Sequence, residues 1–383
     1  MSSKYRVLLV AGARPNFMKI APIARELERR RSLFESILVH TGQHYDAAMS
    51  RIFFDQLGLP RPAIDLEVGS DTHARQTAAI MTAFEPVLLE WKPDVVLVVG
   101  DVNSTIACAL VASKRRVRVA HVEAGLRSFD RDMPEEINRV LTDQISDLLF
   151  VTESSGVENL RREGISEDRI FLVGNVMIDT LLAHRDAALA LGTPARMGLQ
   201  PGQYGVITLH RPSNVDDPRA LDELFGAIGE ISRDLPLVFP VHPRTRASLS
   251  RSPAVSRLCD DARLHLSDPM GYLEFLGLVA ESAVVLTDSG GVQEETTVLG
   301  VPCLTLRTST ERPATITHGT NLLAGVRPAG ILEAWRTVKT TRRIARVPPL
   351  WDGKAAERII AILEPEPHRT VNAAAAERTD AVR

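Results

Sequence analysis

Short runs rich in Val, Ile and Leu alternate with longer helical patterns along almost the whole chain, and this alternation limits the possible folds most sharply. The first series of expected strands is Arg6–Ala11, Ser36–Thr41, Val95–Gly100, Val117–Val122, Leu148–Thr152 and Ile170–Gly174. A second series runs Gly205–Leu209, Leu237–Val241, Leu264–Ser267, Ala283–Thr287, Pro302–Leu306 and Asn321–Gly325. Strands separated by helices pair in parallel through crossover connections, and near-continuous apolar strands belong in sheets covered on both faces. The expected fold is α/β, with two doubly wound domains whose rows of strand carboxyl ends face a cleft. At 383 residues the chain is long for one core, which agrees with two domains. The boundary is expected near Gly174–Asn175, giving a first domain over 1–174 and a second over 175–352. Leu191–Pro194 and Gln200–Gly202 read as a linker, and the Ala- and charge-rich stretch 365–383 as a frayed tail.

Composition serves mainly to exclude. A net charge of −3 and 24% charged residues give no reason to expect a nucleic-acid partner. The basic runs Arg29–Arg31 and Lys114–Arg116 fall near expected helix ends, where cations offset the dipole. No apolar stretch approaches membrane-spanning length, and Val7–Val10 is too short for a signal peptide. Cys108, Cys259 and Cys303 have no disulfide or zinc spacing. They point to a reducing compartment and a cytoplasmic protein with no disulfide framework and no zinc motif.

The strand ends carry the chemistry. His121 to Arg127 runs from an apolar strand into Glu123 and a Gly turn, which places a carboxylate where open α/β sheets bind ligands. A helix follows, opening around Asp132, Pro134, Glu135 and Glu136, with Ile137, Val140, Leu141, Ile145 and Leu148 at helical spacing. Asp132 and Glu135 also fit a capping box, so Glu135 reads as a cap or as a site group. Asp101, in Gly100–Thr105, has the same two readings. After the first strand, Gly12 opens a helix carrying Arg14 and Lys19, able to hold an anion through backbone donors and two cations. It is neither a Walker loop nor a dinucleotide fingerprint. Thr41–Asp46 gathers polar groups, His44 among them, at the same edge. In the second series, His210 and Arg211 end one strand and His242 and Arg244 the next. Ser289, Gly290 and Gly291 then open a helix where bare N–H groups can approach a diphosphate, with Glu295 one turn in for ribose hydroxyls.

Taken together, GARPNFMK, GDVNST, HVEAGLRS, MPEEINR, LHRPSNVD, TDSGGVQEE and TERP resemble, in order, the non-hydrolysing UDP-N-acetylglucosamine 2-epimerases, from Arg14 to about Gly325. The resemblance implies the glycosyltransferase-B architecture: two Rossmann-like domains, a deep cleft, a C-terminal helix near 353–364 returning to the first domain, and a homodimer. It also implies reversible inversion at C2 of UDP-GlcNAc to UDP-ManNAc. UDP would leave to give a 2-acetamidoglucal and then add back, with neither NAD nor metal required. By matching motifs, Asp101, Glu123 and Glu135 are the acid–base carboxylates, and His210 assists the departing diphosphate. Arg14, Lys19, Ser289, Gly290 and Gly291 match diphosphate contacts. Glu295 matches the ribose ligand, Phe275 the uracil-stacking residue, and Arg312 a further cleft cation. Two departures touch substrate and regulation. The loop between Arg127 and Pro134 is short, and Tyr45-Asp46 follows His44 where members activated by a second UDP-GlcNAc carry a basic pattern. The same Thr41–Asp46 version occurs in relatives that act on diacetamido-uronic acid nucleotides. A 2-epimerase of such a sugar, a hydrolysing epimerase and a glycosyltransferase are the competing readings. A transferase has no need of several carboxylates around C2.

Overall fold

The computed structural model describes residues 4–43, 56–241, 243–341 and 346–365, without the side chains of Arg14, Pro212, Pro243 and Arg244. His44, Tyr45, Asp46, His242 and the tail beyond Pro365 lie outside that set. Among the described residues no helix is long and apolar enough to cross a membrane.

Two compact units are present. One holds the chain up to Ala183 and from Pro349 onward, and the other holds His184–Pro348. The division falls inside the helix Val176–Ala190, not at Gly174. The stretch read as a linker contains a short helix, Thr193–Arg196, with Thr193 and Pro194 buried.

The first unit is a parallel sheet of seven strands. They are β1 (Tyr5–Ala11), β2 (Phe34–His40), β3 (Ile64–Asp65), β4 (Val95–Val99), β5 (Arg118–Ala124), β6 (Leu148–Val151) and β7 (Ile170–Leu172). Their order is β3-β2-β1-β4-β5-β6-β7. β3 was not expected: two residues pairing with Val39 and His40 are too short to show any periodicity. Every residue of β4 is buried, as a strand flanked on both sides requires. The order reverses between β1 and β4, so this is where a ligand crevice forms. Helices Arg14–Arg29 and Asn103–Lys114 follow these two strands.

The returning segment is tied down by polar contacts. Trp351 Nε1 donates to the Thr152 carbonyl at 3.0 Å. Asp179 accepts from the N–H groups of Ala355 at 3.1 Å and Ala356 at 2.7 Å, capping the helix Ala355–Leu363 from a distant part of the chain.

The second unit repeats the scheme with β8 (Gly205–Thr208), β9 (Leu237–Pro240), β10 (Leu264–Ser267), β11 (Val284–Thr287), β12 (Cys303–Thr305) and β13 (Asn321–Leu323). The order β10-β9-β8-β11-β12-β13 places its switch point between β8 and β11. Both sheets therefore have the doubly wound, Rossmann-like arrangement.

Candidate active site

In the first unit the chemistry gathers at the carboxyl ends of β1, β4 and β5. Glu123 is buried and stands at a register shift between Val122 and Ala124, with φ of +71°. A bulge re-aims a side chain, and a left-handed glutamate costs about 1–3 kcal/mol, so the surroundings must hold it there. Lys19 does so: its Nζ forms a buried ion pair with Glu123 Oε2. Gly100 makes room for the pair. It has φ of +68°, and a Cβ there would stand 2.8 Å from Lys19 Nζ and 3.5 Å from Glu123 Oε2.

The Gly12 turn is organised differently from the expected anion cradle. The N–H groups of Gly12 and Ala13 donate to Asn16 Oδ1 at 3.1 and 2.9 Å, so those backbone donors are already engaged. Gly12 is required for a close approach, because a Cβ there would lie 2.0 Å from Ser104 Oγ. Arg14 begins the helix, but its side chain lies outside the described residues.

Asp101 is partly exposed and does not cap the next helix, whose cap is Val102. Arg139 Nη2 grips Asp101 Oδ2, while Arg139 Nη1 reaches Glu136 Oε2 at 2.6 Å. Glu136 also accepts from the Ser128 N–H and hydroxyl, both at 2.9 Å, and from the Phe129 N–H at 2.9 Å. The capping box expected of Asp132 and Glu135 is absent. The helix Pro134–Ile145 starts one residue later, with Met133 as an uncapped N-cap. Glu136, not Glu135, is the carboxylate that secures the loop, and Glu135 stays half-buried at the helix amino end. The expected apolar stripe is also not the buried face. Ile137 and Leu141 are 43% and 50% exposed, whereas Glu136, Arg139, Thr142 and Asp143 are buried. Ion pairing decides the orientation of this helix.

In the second unit, His210 ends β8 with a side chain 60% exposed, and its Nδ1 lies 2.8 Å from Asp288 Oδ1. His210 is therefore not a core histidine. Asp288 is fully buried and also accepts from the Arg211 N–H at 3.0 Å and Asn214 Nδ2 at 3.0 Å. Burial alone would raise its carboxyl, but the hydrogen bond and charge of His210, with those donors, hold it below the usual carboxylate range. This carboxylate fixes the imidazole and turns its other nitrogen outward.

Ser289 caps the helix Gly290–Leu299, and its side chain takes none of the first-turn N–H groups, Gly290 and Gly291 among them. Gly290 is glycine for a packing reason as well, since a Cβ would stand 2.5 Å from Arg312 Nη1. Arg312 is buried, with Nε 2.7 Å from Glu294 Oε1 and Nη1 on Glu311. Arg307 Nη2 meets Glu311 Oε2 at 2.8 Å, so two arginines and two glutamates form one buried network. Glu295 is buried and accepts from the Tyr272 hydroxyl at 3.1 Å. Burial pushes its carboxyl up to about 7, helped by Glu294 and opposed by Tyr272. Phe275 is half-buried on the helix Tyr272–Ala280, against a cluster that includes Tyr204, Val206 and Leu278.

Comparison with known proteins adds the decisive observation. The family described as Epimerase_2, UDP-N-acetylglucosamine 2-epimerase, matches residues 25–364. The chain belongs to that family. A UDP-N-acetylglucosamine 2-epimerase of Methanocaldococcus jannaschii is 43% identical over 94% of this chain and 98% of its own length. A UDP-2,3-diacetamido-2,3-dideoxy-D-glucuronate 2-epimerase of Pseudomonas aeruginosa is 44% identical over 87% of this chain and 92% of its own length. Among solved structures, the Methanocaldococcus jannaschii UDP-GlcNAc 2-epimerase in complex with UDP-GlcNAc and UDP superposes with a TM-score of 0.87. That match has 43% identity and covers 94% of this chain and 99% of the other.

For an epimerase of this family, several partners of the site were not singled out from the sequence. Arg139 and Glu136 stand within MPEEINR and Asp288 within TDSGG, so their motifs were visible while their pairings were not. Glu294 and Glu311 stand in the same way within TDSGGVQEE and TERP, and Tyr272 alone lies outside those motifs.

Proposed function

We propose that the chain is a non-hydrolysing 2-epimerase that interconverts UDP-GlcNAc and UDP-ManNAc. One observation carries this reading: a buried glutamate, Glu123, held in strained backbone at a strand end and paired with Lys19, near the end of β4 where Asp101 is gripped by Arg139. Carboxylates in fixed and different environments are what proton removal and delivery at one carbon require. In this reading a carboxylate of the first unit takes the C2 proton as the C1–oxygen bond breaks, and the electron pair leaves with UDP. A second carboxylate protonates C2 from the opposite face, and UDP adds back at C1. Asp101, Glu123 and Glu135 take these roles. In the second unit, His210 on Asp288 assists the diphosphate oxygen, Ser289, Gly290 and Gly291 bind it, Glu295 holds the ribose and Phe275 the uracil. Arg14 and Lys19 are assigned to the diphosphate, and Lys19 keeps donors beyond the one on Glu123. The ion pairs of Arg312 with Glu294 and Glu311 make it a cation that orders this region.

The test is incubation with UDP-GlcNAc in deuterated water followed by proton NMR. UDP-ManNAc carrying deuterium at C2 is expected; product that keeps its C2 hydrogen would sink the elimination mechanism, and free ManNAc would indicate a hydrolysing enzyme. The second reading is an enzyme for a diacetamido-uronic acid nucleotide, favoured by the 44% identity to the Pseudomonas aeruginosa protein. Parallel assays with both nucleotides separate the two. The exposed Ile137 and Leu141, on a helix whose inner face is ionic, support a homodimer. Three unpaired cysteines support a reducing compartment, the cytoplasm.

A further inference from the structure

The first unit holds a fully buried imidazole that the acid–base scheme leaves unused. His121 lies in β5 two residues before Glu123 and is 0% exposed. Its Nδ1 stands 2.7 Å from Asp143 Oδ1, and its Nε2 stands 2.8 Å from the Gly100 carbonyl oxygen. Both neighbours are acceptors, so both ring nitrogens donate, as they do only in an imidazolium. Asp143 balances that charge. Its other oxygen accepts from the Gly125 N–H at 3.0 Å and meets Arg127 Nη2 at 2.7 Å. Burial works against the ionised Asp143, and the opposing pull of His121 and Arg127 lowers its pKa below the usual carboxylate range.

The ring ties together the two turns that present the carboxylates. Gly100 immediately precedes Asp101, and Gly125 follows Glu123 by two residues. Both glycines have left-handed backbone, φ +68° and +80°, a conformation that only surrounding contacts maintain. Asp143 stands on the helix Pro134–Ile145, which also carries Glu135 and the Arg139 that grips Asp101. A single chain of contacts, from the Gly100 carbonyl through His121 and Asp143 to the Gly125 N–H, therefore joins the elements bearing all three carboxylates.

We infer that His121 is a positioning residue: a buried imidazolium that sets the relative placement of Asp101, Glu123 and Glu135. The inference rests on the reading of those carboxylates as acid–base groups. A histidine that merely fills core space would leave turnover intact once the fold is intact.

The experiment starts with deuterium uptake at C2 of UDP-GlcNAc by the unsubstituted enzyme. No uptake there overturns the acid–base reading, and with it the role assigned to His121. With uptake established, His121→Asn retains one donor and loses the charge. Its kcat should fall about 10²-fold, the scale of a 1 Å misplacement of reacting groups, with KM for UDP-GlcNAc and calorimetric UDP affinity unchanged. Asp143→Asn, which keeps an acceptor but removes the charge, should show the same split. Either folded variant with unchanged kcat, or with kcat and UDP affinity lost together, overturns the inference. Nitrogen-15 NMR of the histidine-labelled unsubstituted protein supplies a reading that needs no variant to fold. Two protonated ring nitrogens at His121 at neutral pH are expected, and a single one overturns it.

Discussion

Lys19 and Glu123 form a buried ion pair across 104 residues of sequence, joining the helix after β1 to the bulged end of β5. Both side chains are almost fully covered, so neither charge has water to fall back on. Removing one partner of such a pair typically costs about 3–5 kcal/mol, because the other is left uncompensated. Lys19→Met should lower unfolding stability by about that amount in a urea titration. Lys19→Met combined with Glu123→Gln should recover much of it. A double variant as unstable as Lys19→Met alone would show that the pair is not the cause.

Glu123→Gln and Glu135→Gln should each lose turnover by about 10²–10⁴-fold, the usual contribution of a general acid or base. Both should keep UDP affinity, since neither carboxylate is itself assigned to the nucleotide. Glu135 caps nothing, so its variant should also keep the thermal midpoint of the unsubstituted protein. Normal turnover in a folded Glu135→Gln protein would leave Asp101 and Glu123 to carry both proton transfers.

Asp288→Asn tests the histidine on β8. The carboxylate fixes the His210 ring through Nδ1 at 2.8 Å. An amide can bond the ring but cannot stabilise it when charged. The expected result is a fall in kcat of about 10-fold or more with the pH profile displaced, because a hydrogen bond to a charged group contributes about 1.5–3 kcal/mol. An unchanged pH profile at unchanged kcat would remove His210 from the diphosphate step.

Glu295 makes stability depend on pH in a defined direction. Its folded carboxyl is raised from 4.5 to about 7, chiefly by burial. A raised group favours the folded state below its unfolded value, and that contribution is lost as pH rises through the folded one. Between about pH 5 and 8 the protein should therefore lose on the order of 2–3 kcal/mol that Glu295→Gln does not lose. Thermal midpoints of both proteins across that range provide the check; parallel curves would mean that Glu295 is ionised throughout. Glu295→Gln should also weaken UDP binding, since a charged acceptor for the ribose hydroxyls is gone.

Leu141→Lys should convert a dimer to a monomer in sedimentation velocity while leaving the midpoint of unfolding of each chain near its starting value. Leu141 is half-exposed on a helix already anchored by its ionic face. A dimer that survives the substitution would place the interface elsewhere.

The sequence by itself determined the architecture. Strands such as Val95–Val99 are apolar on both faces and are separated by helical patterns, which only parallel, doubly covered sheets accommodate. It also determined where chemistry could occur, because Glu123 at the end of its strand, and Asp101, His210 and Ser289 just after theirs, stand where any such sheet turns toward a ligand crevice. What tertiary structure alone decided was which charges meet. Ile137 and Leu141 recur at helical spacing, yet their helix exposes them and buries Glu136, Arg139 and Asp143, because each meets a partner brought in from another segment. Asp288 became the partner of His210 across 78 residues only when β8 and β11 paired. Apolar periodicity repeats within a few residues and is written locally. An ion pair depends on two distant positions arriving together, and no local pattern records that.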